Sequence, residues 1–158
     1  MQIDIVSYKS IMGIEFGMST NDVEKILGPA TYKSINPSNH LVNKYLLPQN
    51  RLVVAEFNKV ELGTVISVLV NVFDSDRFKI NSGEPILCTS LVAHLSQCDK
   101  DIYTWDDEML FLDTGLVLGE FTYKNNEYQK YIDLFQFGAQ QESIDDGIYK
   151  SVEGSTLV

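Results

Sequence analysis

The sequence predicts an α+β fold made of two tandem helix-plus-antiparallel-sheet repeats. They are expected to form one continuous or closely packed sheet with helices on one face. Three observations predict it. Two short stretches, 13–30 and 89–99, carry apolar residues at helical spacing. Six other runs look like half-buried strands. And "LVVAEF" at 52–57 returns as "LVLGEF" at 116–121, 64 positions later.

The elements follow in order. "IDIVSY" (3–8) reads as an opening strand. In "GIEFGMSTNDVEKILGPA" (13–30), Ser19 and Asp22 form a shortened capping box, and Met18 and Val23 are spaced for a hydrophobic staple. Val23, Ile26 and Leu27 make one apolar stripe, and Gly28-Pro29 stops the helix. So short a helix needs a sheet to lie on. The strands "KYLLP" (44–48), "RLVVAEFN" (51–58) and "VISVLVNVF" (65–73) come next. Gln49-Asn50 is a hairpin link, and "KVELG" (59–63) is a longer one. "DSDRFKINSGEP" (74–85) is polar and turn-rich, and reads as a connector.

The pattern then recurs. "TSLVAHLSQCD" (89–99) is a second helix with Leu91, Val92, Leu95 and Cys98 toward a core. "DEMLFL" (107–112), "GLVLGEFT" (115–122) and "KYIDLFQF" (130–137) are its strands. A single offset of 64 aligns 45–73 with 109–137 without a gap, with six identities that include Leu52/Leu116, Glu56/Glu120, Phe57/Phe121 and Phe73/Phe137. The expected organisation is a first repeat with its opening strand (1–79), a second repeat (80–138) and a C-terminal tail (139–158) that is mobile or lightly packed.

Charge separates the halves. Residues 1–79 hold eight acids and eight bases, whereas 80–158 hold fourteen acids and four bases, the source of the net −10. An acidic face repels phosphate backbones, so direct nucleic-acid binding is not expected; a basic protein partner is. No apolar run approaches membrane length, and "MQIDIVSYKS" lacks the basic start and apolar middle of an export signal. A cytoplasmic location is expected. Cys88 and Cys98 fit a reduced compartment as small buried side chains rather than a disulfide.

"GIEFGMSTNDVEKILGPA" resembles the helix entry of the β-lactamase-inhibitor-protein-like fold, shared by SmpA/OmlA-type assembly lipoproteins. The tandem copies extend the resemblance over most of 13–138. It implies two helix-plus-sheet units whose concave sheet grips a partner protein. The lipid-bearing cysteine of the lipoproteins and the cysteine pattern of the secreted inhibitors are missing, so β-lactamase is not the expected target. For an acidic cytoplasmic version, the resemblance implies an immunity protein that neutralises a toxin domain, many of which are basic nucleases. That step is analogy at fold level.

Strand parity selects the binding face. Ile132 and Leu134 share parity with Val68 and Val70 and are assigned to the core. Tyr131, Asp133, Phe135 and Phe137 then face the open side, and Leu118 and Glu120 join them if Phe121 is buried. Just before, "DIYTWDDE" (101–108) gathers Tyr103, Trp105, Asp106, Asp107 and Glu108. Aromatic anchors beside carboxylates suit an interface. Singly, Phe121 and Phe137 read better as core, Trp105 is open to either role, and the three acids equally describe a solvated turn.

No catalytic, metal or cofactor motif is present: no phosphate loop, nucleophile elbow or His-Glu-x-x-His. "DKDIYTWDDEML" resembles a calcium loop but has Thr104 at its sixth position and Leu110 at its twelfth. Cys88 and His94 could form a nucleophile–base pair, though nothing orients them. The competing class is a small enzyme or ligand carrier with a pocket between sheet and helices, and an assembly adaptor lies between the two.

Overall fold

The structure, a computed structural model, describes residues 1–58, 63–121 and 130–152. Residues 59–62 of the longer predicted link, Thr122 of a predicted strand and 153–158 of the predicted tail lie outside the described residues. The chain begins with β1 (Gln2–Val6), β2 (Ser10–Ile11), β3 (Ile14–Glu15) and α1 (Thr20–Leu27). β4 (Tyr32–Ile35), β5 (Leu41–Leu47), β6 (Arg51–Asn58) and β7 (Thr64–Asn71) follow. Next come β8 (Arg77–Ile80), β9 (Ile86–Leu87) and α2 (Leu91–Cys98), then β10 (Ile102–Trp105), β11 (Glu108–Phe111), β12 (Leu116–Gly119) and β13 (Tyr131–Phe135). α3 (Gln141–Asp145) and β14 (Lys150–Ser151) end it.

Among the described residues the strands form two sheets. The larger is antiparallel, ordered β14-β10-β11-β12-β13-β7-β6-β5-β4. The smaller is ordered β3-β2-β1-β8-β9, with β1 and β8 parallel. The fold is thus mainly β, which corrects the α+β expectation. The helices are short, and a second sheet stands where the sequence showed a lone strand and a connector. The cause is local. In "RFKI" only Phe78 and Ile80 are buried, and the polar turn Asn81-Ser82-Gly83 hides so brief an alternation.

α1 forms as its residues dictate. The Asp22 amide donates to Ser19 Oγ at 3.3 Å, the Ser19 hydroxyl donates back to Asp22 Oδ2 at 2.7 Å, and Gly28 ends the helix at φ 84°. Met18 and Val23 join the main core. In α2, Leu91 and Leu95 are buried and Val92 packs against them, but Cys98 is exposed, 3.8 Å from His94 Nε2. Cys98 therefore is not a core residue; α2 ends at it, and Asp99 is already extended. Cys88 is buried, and burial pushes its thiol up to about 11. Both cysteines are free, and an inert buried thiol cannot serve as a nucleophile with His94.

The main core joins one face of the large sheet to α1, α2 and the small sheet. It includes Tyr45, Phe57, Val68, Val70, Ile132 and Leu134, together with Val23, Leu95, Ile5 and Phe78. The sheets are locked by a buried ion pair. Arg51, at the start of β6, donates from Nη2 to Asp76 Oδ1 at 2.8 Å and from Nη1 to the Asn71 carbonyl at 2.6 Å. The Phe73 amide donates to Asp76 Oδ2 at 2.8 Å, and the Asp76 carbonyl accepts from the Cys88 amide at 2.9 Å.

The 64-residue offset holds for some strands and fails for one. Tyr45 and Met109, Val68 and Ile132, and Val70 and Leu134 are all core pairs. β7 and β13 pair at the sheet centre with Leu69 opposite Asp133, so the pairing is symmetric about two positions that the offset equates. β12 breaks the rule. Val53, Ala55 and Phe57 of β6 face the core, whereas in β12 Leu116 and Leu118 do, and Val117 packs on the opposite side. A one-residue slip flips every side chain of a strand. Leu118, expected on the open face, is therefore fully buried. Glu120, at φ 63°, resets the parity so that Phe121 turns back to the core.

Candidate functional site

The open face of the second half is partly roofed by the chain that follows β13. Leu110, Val117, Phe135 and Tyr149 form a second buried cluster there, with Tyr103 and Ile144 packed against it. Residues 139–152, expected as a tail, thus contribute α3, a strand paired to β10 and a buried tyrosine. Phe135 does face away from the main core, but this roof buries it to 2% exposure, which removes it from the expected protein-binding surface. Phe137, expected as core, is 84% exposed at the edge of the Tyr8 ring. The β13 strand has ended at Phe135, so sheet parity no longer aims it.

Glu108 organises this region. It accepts from the Tyr131 hydroxyl on Oε1 and from the Tyr149 hydroxyl on Oε2 at 2.7 Å. Burial raises both phenols, and the neighbouring Glu108 raises them further. Glu108 is thus a structural anchor, and Tyr131 lies half-buried over Gly119. A Cβ at position 119 would overlap the Tyr131 ring. Gly119→Ala is therefore expected to displace Tyr131 and to destabilise the protein by about 1–3 kcal/mol, the usual cost of overpacking. Thermal or urea melting of the variant checks this.

Trp105 is 51% exposed and meets the edge of Tyr149 at 6.1 Å. It pairs with Glu108 across a tight turn in which Asp106 has φ 51° and is exposed. The Asp107 carbonyl accepts from the Glu120 amide at 3.2 Å, so Asp107 and Glu120 close the same corner. Glu120 Oε2 is buried without a hydrogen-bond partner among the described residues. Burial, then Asp107 and Asp106, raise its carboxyl above the ordinary range. Beside Trp105 runs a groove of about 620 Å³, lined by Gln140, Ser143, Ile148, Tyr149 and Lys150. Asp145 and Asp146, both exposed, immediately precede Gly147 of its lining in the chain.

A second hollow lies where the two halves meet on the same face. It measures about 320 Å³, and its lining includes His40, Glu56, Ser67, Asp133 and Phe135. The sheet builds it in register: Glu56 on β6 opposes Ser67 on β7, and Ser67 opposes Phe135 on β13. Ser67 donates to Asp133 Oδ1 at 2.8 Å. Glu56 Oε1 takes both the Asn36 side-chain amide at 2.8 Å and His40 Nδ1 at 2.5 Å. Burial pushes the Asp133 carboxyl up to about 7; the Ser67 bond opposes this, and Glu56 and Glu108 add to it.

Of the nine expected site residues, the structure brings Trp105, Asp106 and Asp107 to one exposed corner with Glu120. Tyr103, Glu108 and Tyr131 support it from beneath, and Asp133 belongs to the second hollow. Sequence reading missed Ile148 and Tyr149, which lie in a segment without periodicity. It also missed Glu56, although alternation in "RLVVAEFN" already placed Glu56 opposite the buried Val53, Ala55 and Phe57.

Among the described residues no group of three or more His, Cys, Asp or Glu side chains could hold a metal ion, and no helix is long and apolar enough to cross a membrane. Comparison with protein-family models, curated proteins and solved structures finds no match.

Proposed function

We propose that this chain is a protein-binding inhibitor: an immunity protein that binds and neutralises a basic toxin domain, on a scaffold of the β-lactamase-inhibitor-protein-like kind. One observation carries the reading. Trp105 is half exposed, yet its edge is held by Tyr149, which Glu108 anchors in turn. A large ring fixed in place before contact loses little entropy on binding, which suits an anchor. The groove beside it gives a partner side chain somewhere to insert. Exposed Asp106 follows Trp105 in the chain, exposed Asp145 and Asp146 precede Gly147 of the groove, and these carboxylates favour a positively charged surface. The symmetric β7–β13 pairing supports a scaffold of two related units, 1–79 and 80–138. An acidic face of this kind works in the cytoplasm, beside the toxin it restrains, and needs no cofactor.

The test begins with capture from native cell extract and identification of the retained protein by mass spectrometry, followed by calorimetry with that protein purified. Trp105→Ala is expected to weaken binding roughly 30- to 1,000-fold, about 2–4 kcal/mol. The Asp106→Lys/Asp145→Lys variant should slow association and flatten the salt dependence. Unchanged affinity in both variants would remove this surface from the proposal.

A further inference from the structure

The hollow between the halves has a chemistry of its own. Among the described residues its lining holds two carboxylates, Glu56 and Asp133, and no lysine or arginine. Each carboxylate has one oxygen engaged: Glu56 Oε1 by Asn36 and His40, and Asp133 Oδ1 by Ser67. Among the described residues Glu56 Oε2 and Asp133 Oδ2 have no hydrogen-bond partner. Ser67 joins the two groups, facing Glu56 across the strands and bonding Asp133. Among the described residues His40 is the one basic side chain on the wall, paired with Glu56 Oε1, and Asp133 has no cationic partner, in a space of about 320 Å³.

We propose that this hollow is a binding site for a guanidinium- or ammonium-bearing group, with Glu56 and Asp133 as its two acceptors. A planar guanidinium presents several N–H donors in a fixed fork and can bridge two carboxylates. Ile66, Phe135 and Ala139 line the rest of the hollow and suit the aliphatic stem of such a group. A bare divalent cation is a poor fit. Two carboxylates with one oxygen each uncommitted cannot supply the six to eight oxygens that calcium takes, and His40 Nδ1 is already turned to Glu56. An anion would face both carboxylates. The group could come from a small free amine or from an arginine or lysine side chain of a polypeptide; the recognition chemistry is the same.

Amide NMR titration of the intact protein tests this with three probes: agmatine, a capped arginine-containing peptide and calcium chloride. At least one guanidinium probe is expected to shift the amides of Ser67, Asp133 and Phe135 saturably. Saturation by agmatine identifies a free ligand, and saturation by the peptide alone identifies a polypeptide side chain. Glu56→Gln and Asp133→Asn keep their neighbours' hydrogen bonds and should each weaken the binding at least tenfold, with melting curves confirming that both variants fold. Trp105→Ala should leave it unchanged, which separates this site from the docking surface. The proposal is overturned if neither guanidinium probe binds at millimolar concentration, if calcium alone binds, or if either Glu56→Gln or Asp133→Asn binds as well as the parent.

Discussion

Asp76→Ala is expected to destabilise the protein by about 3–5 kcal/mol, the cost of stranding a buried charge. Arg51 and Asp76 are each 1% exposed, so water cannot replace the lost partner. The carboxylate also accepts from the Phe73 amide, and Arg51 reaches the end of β7 through the Asn71 carbonyl, so the loss spreads to the β7–β8 connection. For a chain of this size the melting temperature should fall by about 10 °C. Burial alone would raise the Asp76 carboxyl, but the bonds from Arg51 and the Phe73 amide outweigh it and hold the carboxyl below its ordinary value. Its contribution is therefore present above the unfolded value and lost as pH falls through the folded one. The double replacement Arg51→Met/Asp76→Leu removes both charges and should recover most of the loss. A melting temperature unchanged in Asp76→Ala would show that the pair does not lock the sheets.

Asp133→Asn is expected to act in the opposite direction, stabilising the protein at pH 8. The carboxyl stands at about 7 in the fold against an ordinary value of 3.8, so the folded state keeps a proton that the unfolded chain has released. Between these values stability must fall as pH rises. A difference of that size corresponds to at most ~4 kcal/mol. Asparagine cannot ionise but can still accept from Ser67. Urea melts at pH 5 and pH 8 should show the wild type losing stability between the two and the variant losing less. Equal slopes would show that Asp133 is solvated. A bound cation in the same hollow would offset the penalty, which links this measurement to the agmatine titration.

Much of the local structure was legible because its causes are local. The Ser19 cap, the Gly28 stop and the Val23 stripe each depend on residues within one or two turns, and α1 forms where they place it. The Gln49-Asn50 hairpin is equally local, with both residues at positive φ. Alternation in "KYIDLFQF" assigned Ile132 and Leu134 to the core correctly. It aimed Asp133 and Phe135 at the other face, but could not say that a later segment would cover Phe135.

The sequence by itself determined the caps, the tight turns, the strand-rich character and the uneven charge, since each follows from neighbours in the chain or from composition. Only the tertiary structure decided which residues of each copy of the repeated hexapeptide face inward, because a shift of one residue in pairing costs nothing locally and reverses every side chain. Long-range packing also decided the small sheet, the Arg51–Asp76 lock, and the meeting of Glu56 with Asp133 across strands that lie far apart in the chain. Burial and charge coupling depend on distance in space, and spacing along the sequence carries no record of it.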